Sequence, residues 1–542
     1  MPPGIWLSVA LLANSVAAAA APQTSATWQP QFSFHFENDS LPGAGTDDSY
    51  TQGLELRVRR GEGWRLIEPL LRPLWTKDPN DIFERTGSAI LGQTILTPHN
   101  VITYAPSRID RPFAGFLYAG IEASRIREDP VLVNEGTPEE RTLGRERLSA
   151  IATLGIVGPL AGGRDAQSGV HILRENRMAK GWLVSQLGNQ PQFNIRLVRE
   201  VMPLRIADNV DVTAMQEVTL GTTQTYAGLG GTVRIGRGLS SFPAGVIAYS
   251  ASSTPRKRLE ITAQASVRWR LMAHNAFVGG LLGRPGDLKT ERSVVDLGGG
   301  FEARWKAWRF SHMVVRRTQE FSPLPPGVPK KHRFVALNVS REHWSEEPSE
   351  RFDWLKDGLR LNFRLGRASS SVSPAFPAAH TPPLAAGLGI EHSLWSGRFS
   401  VGYETTSTGR EPGPPAPGQL THDDLFLIAK ALTVGWEPTR VTSRHKLQIR
   451  TGGGFATAKL QTTPDTGALL EPEPVNIIEQ GRSLVAGVRY SYRLGRPLSL
   501  TADATAARLL VNRQLVRRAD FFSFTLGVQI HPWDRDTAAK SR

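Results

Sequence analysis

The chain reads as all-β: a transmembrane antiparallel β-barrel of about 12 strands, followed by a second barrel-like region of about 8 strands. Three observations carry this reading. Apolar and polar residues alternate with a period of two through many separate runs, as strands with one greasy and one polar face require. No segment past the amino terminus approaches 18 uninterrupted apolar residues, so a membrane crossing by helix is excluded. Residues 1–21, MPPGIWLSVALLANSVAAAAA, have an apolar centre and an alanine run offering A-x-A cleavage sites, which reads as a secretory signal peptide. Its n-region lacks Lys and Arg, and the alternative for the same residues is an N-terminal membrane anchor.

The first strand is the stretch FSFHFENDS, Phe32 to Ser40. Phe32, Phe34 and Phe36 alternate with Ser33, His35 and Glu37, and the apolar row then runs into Asn38, with Asp39 beside it. Further along, Leu259, Ile261, Ala263, Ala265, Val267, Trp269 and Leu271 interleave with polar residues including Arg268 and Arg270. Leu484, Ala486, Val488, Tyr490, Tyr492 and Leu494 do the same around Arg489 and Arg493. Such runs suit a tilted bilayer-crossing strand better than the shorter strands of a soluble sandwich. Only a closed barrel satisfies every strand hydrogen bond in lipid.

The barrel domain spans 22–341. A polar segment at 342–357, within REHWSEEPSERFDWLKDG, interrupts the alternation and reads as a linker. The second domain spans 358–534, with strands near 358–366, 384–394, 397–405, 425–437, 444–458, 482–494, 497–510 and 519–531, and 535–542 form a tail. An even count in each part leaves both ends of the linker on the periplasmic side. One barrel of about twenty strands is the alternative.

Charge and cysteine content restrict the chemistry. Lys plus Arg number 64 against 50 for Asp plus Glu, a formal +14 in 542 residues, which suits an anionic partner such as a charged membrane surface or nucleic acid. With no cysteine there is neither a disulfide, a thiolate metal site nor a Cys nucleophile.

Two segments carry polar clusters that alternation does not need. In ENDSLPGAGTDDSYTQGLEL, Asn38, Asp39, Asp47 and Asp48 bracket a turn, and a metal site competes there with ordinary turn chemistry. In GPLAGGRDAQSGVHILRENRMAKGW, Gln167 and His171 are four apart and share a face if the stretch is helical. By itself a loop histidine is more often a solvent-exposed bystander.

Several blocks in order resemble the outer-membrane lipid A 3'-O-deacylases: FHFENDS, DDSYTQGLEL, LTPHNVITYAPSRIDRPFAGFLYAG, LGIVGPLAGGRDAQSGVHILR with KGW and Gln186, and VVRRTQEF with HRFVALNVS. They cover about residues 30–341. The resemblance implies a twelve-stranded barrel in the bacterial outer membrane, with a site on the lipid-facing side of the wall beneath a loop helix. It implies calcium-dependent hydrolysis of the 3'-linked acyloxyacyl ester of lipid A, with lipopolysaccharide as partner and no nucleic acid. Carried over residue by residue, Asn38 and Asp39 are the metal-binding pair, and Thr51, Gln167 and His171 are catalytic, His171 as general base. Where the family has an acidic residue after the histidine, this sequence has Arg177, with Glu175 nearby, and HNVITYAPSR lacks the basic pair of the best-known members. The competing readings are a pore or structural barrel on the same scaffold and a binding barrel whose carboxy-terminal part recognises a partner.

Overall fold

The structure, a computed structural model, describes residues 31–39, 52–60, 66–74, 83–101, 109–128, 145–174, 178–206, 209–236, 239, 256–281, 283–306 and 308–341. It further describes 359–373, 384–394, 398–410, 421–438, 444–464, 475–495, 498–511 and 518–531. The expected signal peptide at 1–21, the linker at 342–357, the tail at 535–542 and Thr51 lie outside the described residues. No described helix is long and apolar enough to cross a membrane.

Twelve strands close the first barrel. They are β1 (Gln31–Asn38), β2 (Gln52–Arg60), β3 (Phe83–Leu96), β4 (Ala114–Glu128), β5 (Arg145–Val157) and β6 (Gln190–Ile206), then β7 (Val210–Gly221), β8 (Gln224–Gly236), β9 (Arg256–Asn275), β10 (Ser293–Lys306), β11 (Trp308–Thr318) and β12 (Lys331–Arg341). Each pairs antiparallel with its chain neighbour, and β12 closes on β1 with Phe36 opposite Leu337. Closure leaves no edge strand.

Alternation sorts the side chains as the sequence suggests. Leu154, Leu220, Ile261, Trp269, Leu297 and Phe301 stand exposed on the outer wall, as lipid-facing residues do. The lumen holds the charges: Arg147 binds Glu200, Arg234 binds Asp211 at 2.9 Å, Arg309 binds Glu302 at 2.7 Å and Arg57 binds Glu122 at 2.8 Å, all buried. Pairing is what makes so many buried charges tolerable.

Eight strands close the second barrel: β13 (Leu359–Ser373), β14 (Leu384–Leu394), β15 (Phe399–Arg410), β16 (Thr421–Trp436), β17 (His445–Pro464), β18 (Val475–Gly495), β19 (Leu498–Leu510) and β20 (Arg518–Ile530). Near the chain termini its interior is one ionic network. Arg364 and Arg450 share Glu404 at 3.1 and 2.6 Å, Arg489 reaches Asp503 and Glu391 at 3.0 Å each, and Arg360 holds Glu391 and Glu437. Four arginines thus meet four carboxylates, with Lys446 3.9 Å from Glu437 at the edge of the network. Towards the other rim the filling turns apolar, with Leu427, Leu460, Leu509 and Phe521 packed among alanines. A small barrel filled in this way is a packed body rather than a channel.

Asp503 is wholly buried and contacts Arg489, Arg450 and Arg364. Removing one partner of a buried ionic cluster costs about 3–5 kcal/mol. Asp503→Ala should therefore lower the urea midpoint of the carboxy-terminal barrel's unfolding transition in the full chain by a corresponding amount, whereas Phe522→Ala on the exposed wall should barely move it. Equal midpoints for Asp503→Ala and wild type would contradict this account of the interior.

Candidate active site

The outer wall of the first barrel stops being apolar at the rim away from the chain termini. On β1 the outward row that carries Phe34 and Phe36 ends in Asn38, and Asp39 follows in a bend; each is 3 % exposed. On β2 the outward row of Leu54, Leu56 and Val58 begins with Gln52, which pairs directly across from Asn38. On β3 the row Ala89, Leu91, Ile95 is interrupted by Gln93. Three adjacent strands therefore place an amide on the face where the rest of the wall presents hydrocarbon. Gln52 and Gln93 were not singled out from the sequence, although the signal is the one that marks Asn38: a polar residue in phase with an apolar row.

Beside this patch, residues 158–163 and 181–189, which flank the helix between β5 and β6, pack on the wall. Gln93 Nε2 donates to the Ala161 carbonyl oxygen at 2.7 Å. The bare Cα of Gly115 on β4 lets Gly163 and Ala161 approach closely, because a Cβ there would meet the Gly163 backbone at 3.0 Å. Trp182, fully buried against Phe113 with ring centroids 4.9 Å apart, packs under Gly163 from the returning side of the loop.

The helix α1 (Gly163–Arg174) begins there, and it confirms the spacing argument: Gln167 and His171 are one turn apart on one face, and both are buried. By packing, the chain divides into two units. Asn38 and Asp39 belong to the first, which comprises 1–101, 105–163 and 181–345, and Gln167 and His171 to the second, which comprises 102–104, 164–180 and 346–542. Glu175 and Arg177 lie outside the described residues.

The rim of the first barrel is held by charge. Asp110 accepts from the backbone N–H groups of His99 and Arg111 at 2.7 Å each, while burial pushes its carboxyl above the usual range. Glu320 accepts from Arg111 at 3.0 Å. Burial would raise its pKa, but Arg317 and Arg111 outweigh burial and hold it at about 2. Inside the lumen beneath lies a cavity of about 280 Å³ lined by Glu37, Glu55, Arg57, Tyr118, Arg268 and Arg270, among others. Its cations are already matched: Arg57 to Glu55 at 2.5 Å, Arg268 to Glu217 at 2.5 Å and Arg270 to Asp296 at 3.0 Å. The outward amides are on the other side of the wall from this cavity.

Asn38 and Asp39 offer oxygen donors only, the ligand type that calcium takes, and burial at a strand end gives those oxygens a fixed place. Among the described residues no three His, Asp or Glu side chains gather as a ready metal cluster. The pair fits as part of a calcium shell of roughly six to eight oxygens that backbone, water and lipid oxygens would complete.

A family model described as Outer membrane protein LpxR matches residues 5–342. No curated protein sequence matches the chain. Among solved structures, LpxR from Salmonella typhimurium is 19 % identical with a TM-score of 0.43, covering 58 % of this chain and all of its own. The attachment invasion locus protein Ail of Yersinia pestis (12 % identical) and Neisserial surface protein A (14 %) each match 32 % of this chain at a TM-score of 0.23, over 98 % and 97 % of their own lengths. With the model covering more than half of the sequence, the chain belongs to the LpxR family of outer-membrane proteins, the lipid A deacylase family that its motif blocks resemble.

Proposed function

We propose that this protein hydrolyses the 3'-linked acyloxyacyl ester of lipid A, with His171 as general base and a calcium ion held in part by Asn38 and Asp39. The observation that carries the reading is the outward patch of Asn38, Gln52 and Gln93. Polar groups are costly in an apolar wall, and the amides set there, Gln93 already meeting the Ala161 carbonyl, give the ester of a membrane lipid a polar place to dock. A lumen site would not be reached by acyl chains lying in the bilayer.

Neutral His171 takes a proton from the attacking water, and the imidazolium returns it to the departing 3' oxygen of the sugar. The products are a free acyloxyacyl acid and a lipid A with a 3' hydroxyl. Gln167, on the same helical face, orients the water or the ester, and Thr51 adds a hydroxyl from the block that follows the first loop. Calcium, when bound, supplies positive charge to the ester carbonyl oxygen as negative charge develops there. Asn38 Oδ1 and the Asp39 carboxylate are the side-chain oxygens that would hold it. The net positive charge suits a phosphorylated glycolipid.

Lipid A from cells with and without the gene tests the proposal by mass spectrometry. The expected result is the loss of one acyloxyacyl mass only where the protein is made. Unchanged lipid A in cells that carry the folded protein would favour a non-catalytic barrel on the same scaffold.

A further inference from the structure

The helix α1 has a second face. At about 100° per residue, Asp165, Gly169 and Ile172 fall within roughly 60° of one another, and Gln167 and His171 lie roughly 100° to 160° from each of them, on another side of the helix. In the compact unit formed by residues 164–180 with the carboxy-terminal barrel, that second face lies on the barrel wall. Asp165 Oδ2 accepts from Arg367 Nη2 at 3.0 Å. Ile172 packs with Leu384 and Phe426, and a Cβ on Gly409 would meet it at 2.5 Å. Gly169 faces Leu365, and a side chain there would overlap it.

These wall residues form one line. Arg367 pairs with Leu384, Leu384 with Gly409, and Gly409 with Phe426, so the line crosses β13, β14, β15 and β16 at one level. Asp165 and Ile172 are seven residues apart, about 10 Å along a helix. Two strand spacings, from Arg367 to Gly409, are also about 10 Å. The helix therefore matches the row in length. The covering is local: Phe426 is fully buried and Leu384 is 8 % exposed, whereas Leu388 and Leu432, on the same outward faces, are 47 % and 66 % exposed.

We infer that the carboxy-terminal barrel is a positioning domain for the loop helix, and that Arg367 and Gly409 are positioning residues that set the rotation of the face carrying Gln167 and His171; this rests on the deacylase reading above. The ion pair at Asp165 fixes one end of the helix. The glycine-for-isoleucine fit at Gly409 fixes the height of the other. A rotation of the helix by a fraction of a turn moves His171 by more than an ångström, and misplacement on that scale costs on the order of a hundredfold in rate.

The test uses the full chain in mixed micelles with lipid A, comparing wild type with Arg367→Glu, Gly409→Leu and the charge swap Asp165→Arg with Arg367→Glu. Heat-modifiable migration checks folding, and hydrogen exchange of the amides in 164–174 reports on the helix. Arg367→Glu and Gly409→Leu should each lower kcat about ten- to a hundredfold with little change in KM and faster exchange in the helix. The charge swap should recover most of the kcat lost by Arg367→Glu. Should Gly409→Leu fail to fold, Arg367→Glu, at a half-exposed side chain, still decides. Full kcat in the single variants beside an active wild type would overturn the inference, as would a lost rate with unchanged exchange or without recovery in the swap. A wild type that releases no acyl chain in this assay would instead overturn the deacylase reading itself.

Discussion

Replacing His171 by alanine should lower the release of the acyloxyacyl chain by about 10² to 10⁴, the usual loss when a general base is removed. The side chain is buried on a helix whose other face is docked independently through Asp165, Gly169 and Ile172, so the truncation should leave the barrel folded. Heat-modifiable migration would verify the fold, and single-turnover release of the acyl chain from purified lipid A would measure the rate. Retained full activity would remove His171 from the mechanism.

Asp39→Ala should cost about 10² to 10³, the range for loss of a group that stabilises an oxyanion. A calcium chelator added to wild type should have the same effect, and added calcium should restore the wild type but not the variant. The two results belong together. Loss in the variant without loss in chelator would leave Asp39 with an electrostatic role of its own, and activity unaffected by both would end the metal assignment. Asn38→Ala should resemble Asp39→Ala in direction, since both place oxygen at the same strand end.

Much of the architecture was legible because the lipid and the lumen both enforce the period of two. All eight carboxy-terminal strands lie where alternation put them, yet several run further at the rim away from the termini: β17 ends at Pro464 and β18 begins at Val475, where the sequence suggested limits of 458 and 482. The extra residues keep the hydrogen-bond ladder, with Thr462 opposite Val475. Ile477 and Ile478 are adjacent and both exposed, which no alternation rule would mark as strand. The site was legible in part for the same reason. Asn38 breaks an apolar row, and so do Gln52 and Gln93. What one strand's pattern cannot contain is a partner some two hundred residues away: the docking of Asp165 on Arg367 depends on which row of a second barrel faces outward at that level.

Asn38 sits on the strand that closes the first barrel. One neighbour, Gln52, is supplied by the next strand in the chain, and the other, Val335, by the last. A one-residue slip at this seam would turn Asn38 into the lumen and His35 and Glu37 into lipid. The wall beneath the candidate site is therefore complete only when the final strand has zipped onto the first in the correct register. An unfinished barrel carries the residues without the surface that presents them, so the patch of Asn38 and Gln52 exists only in the closed barrel.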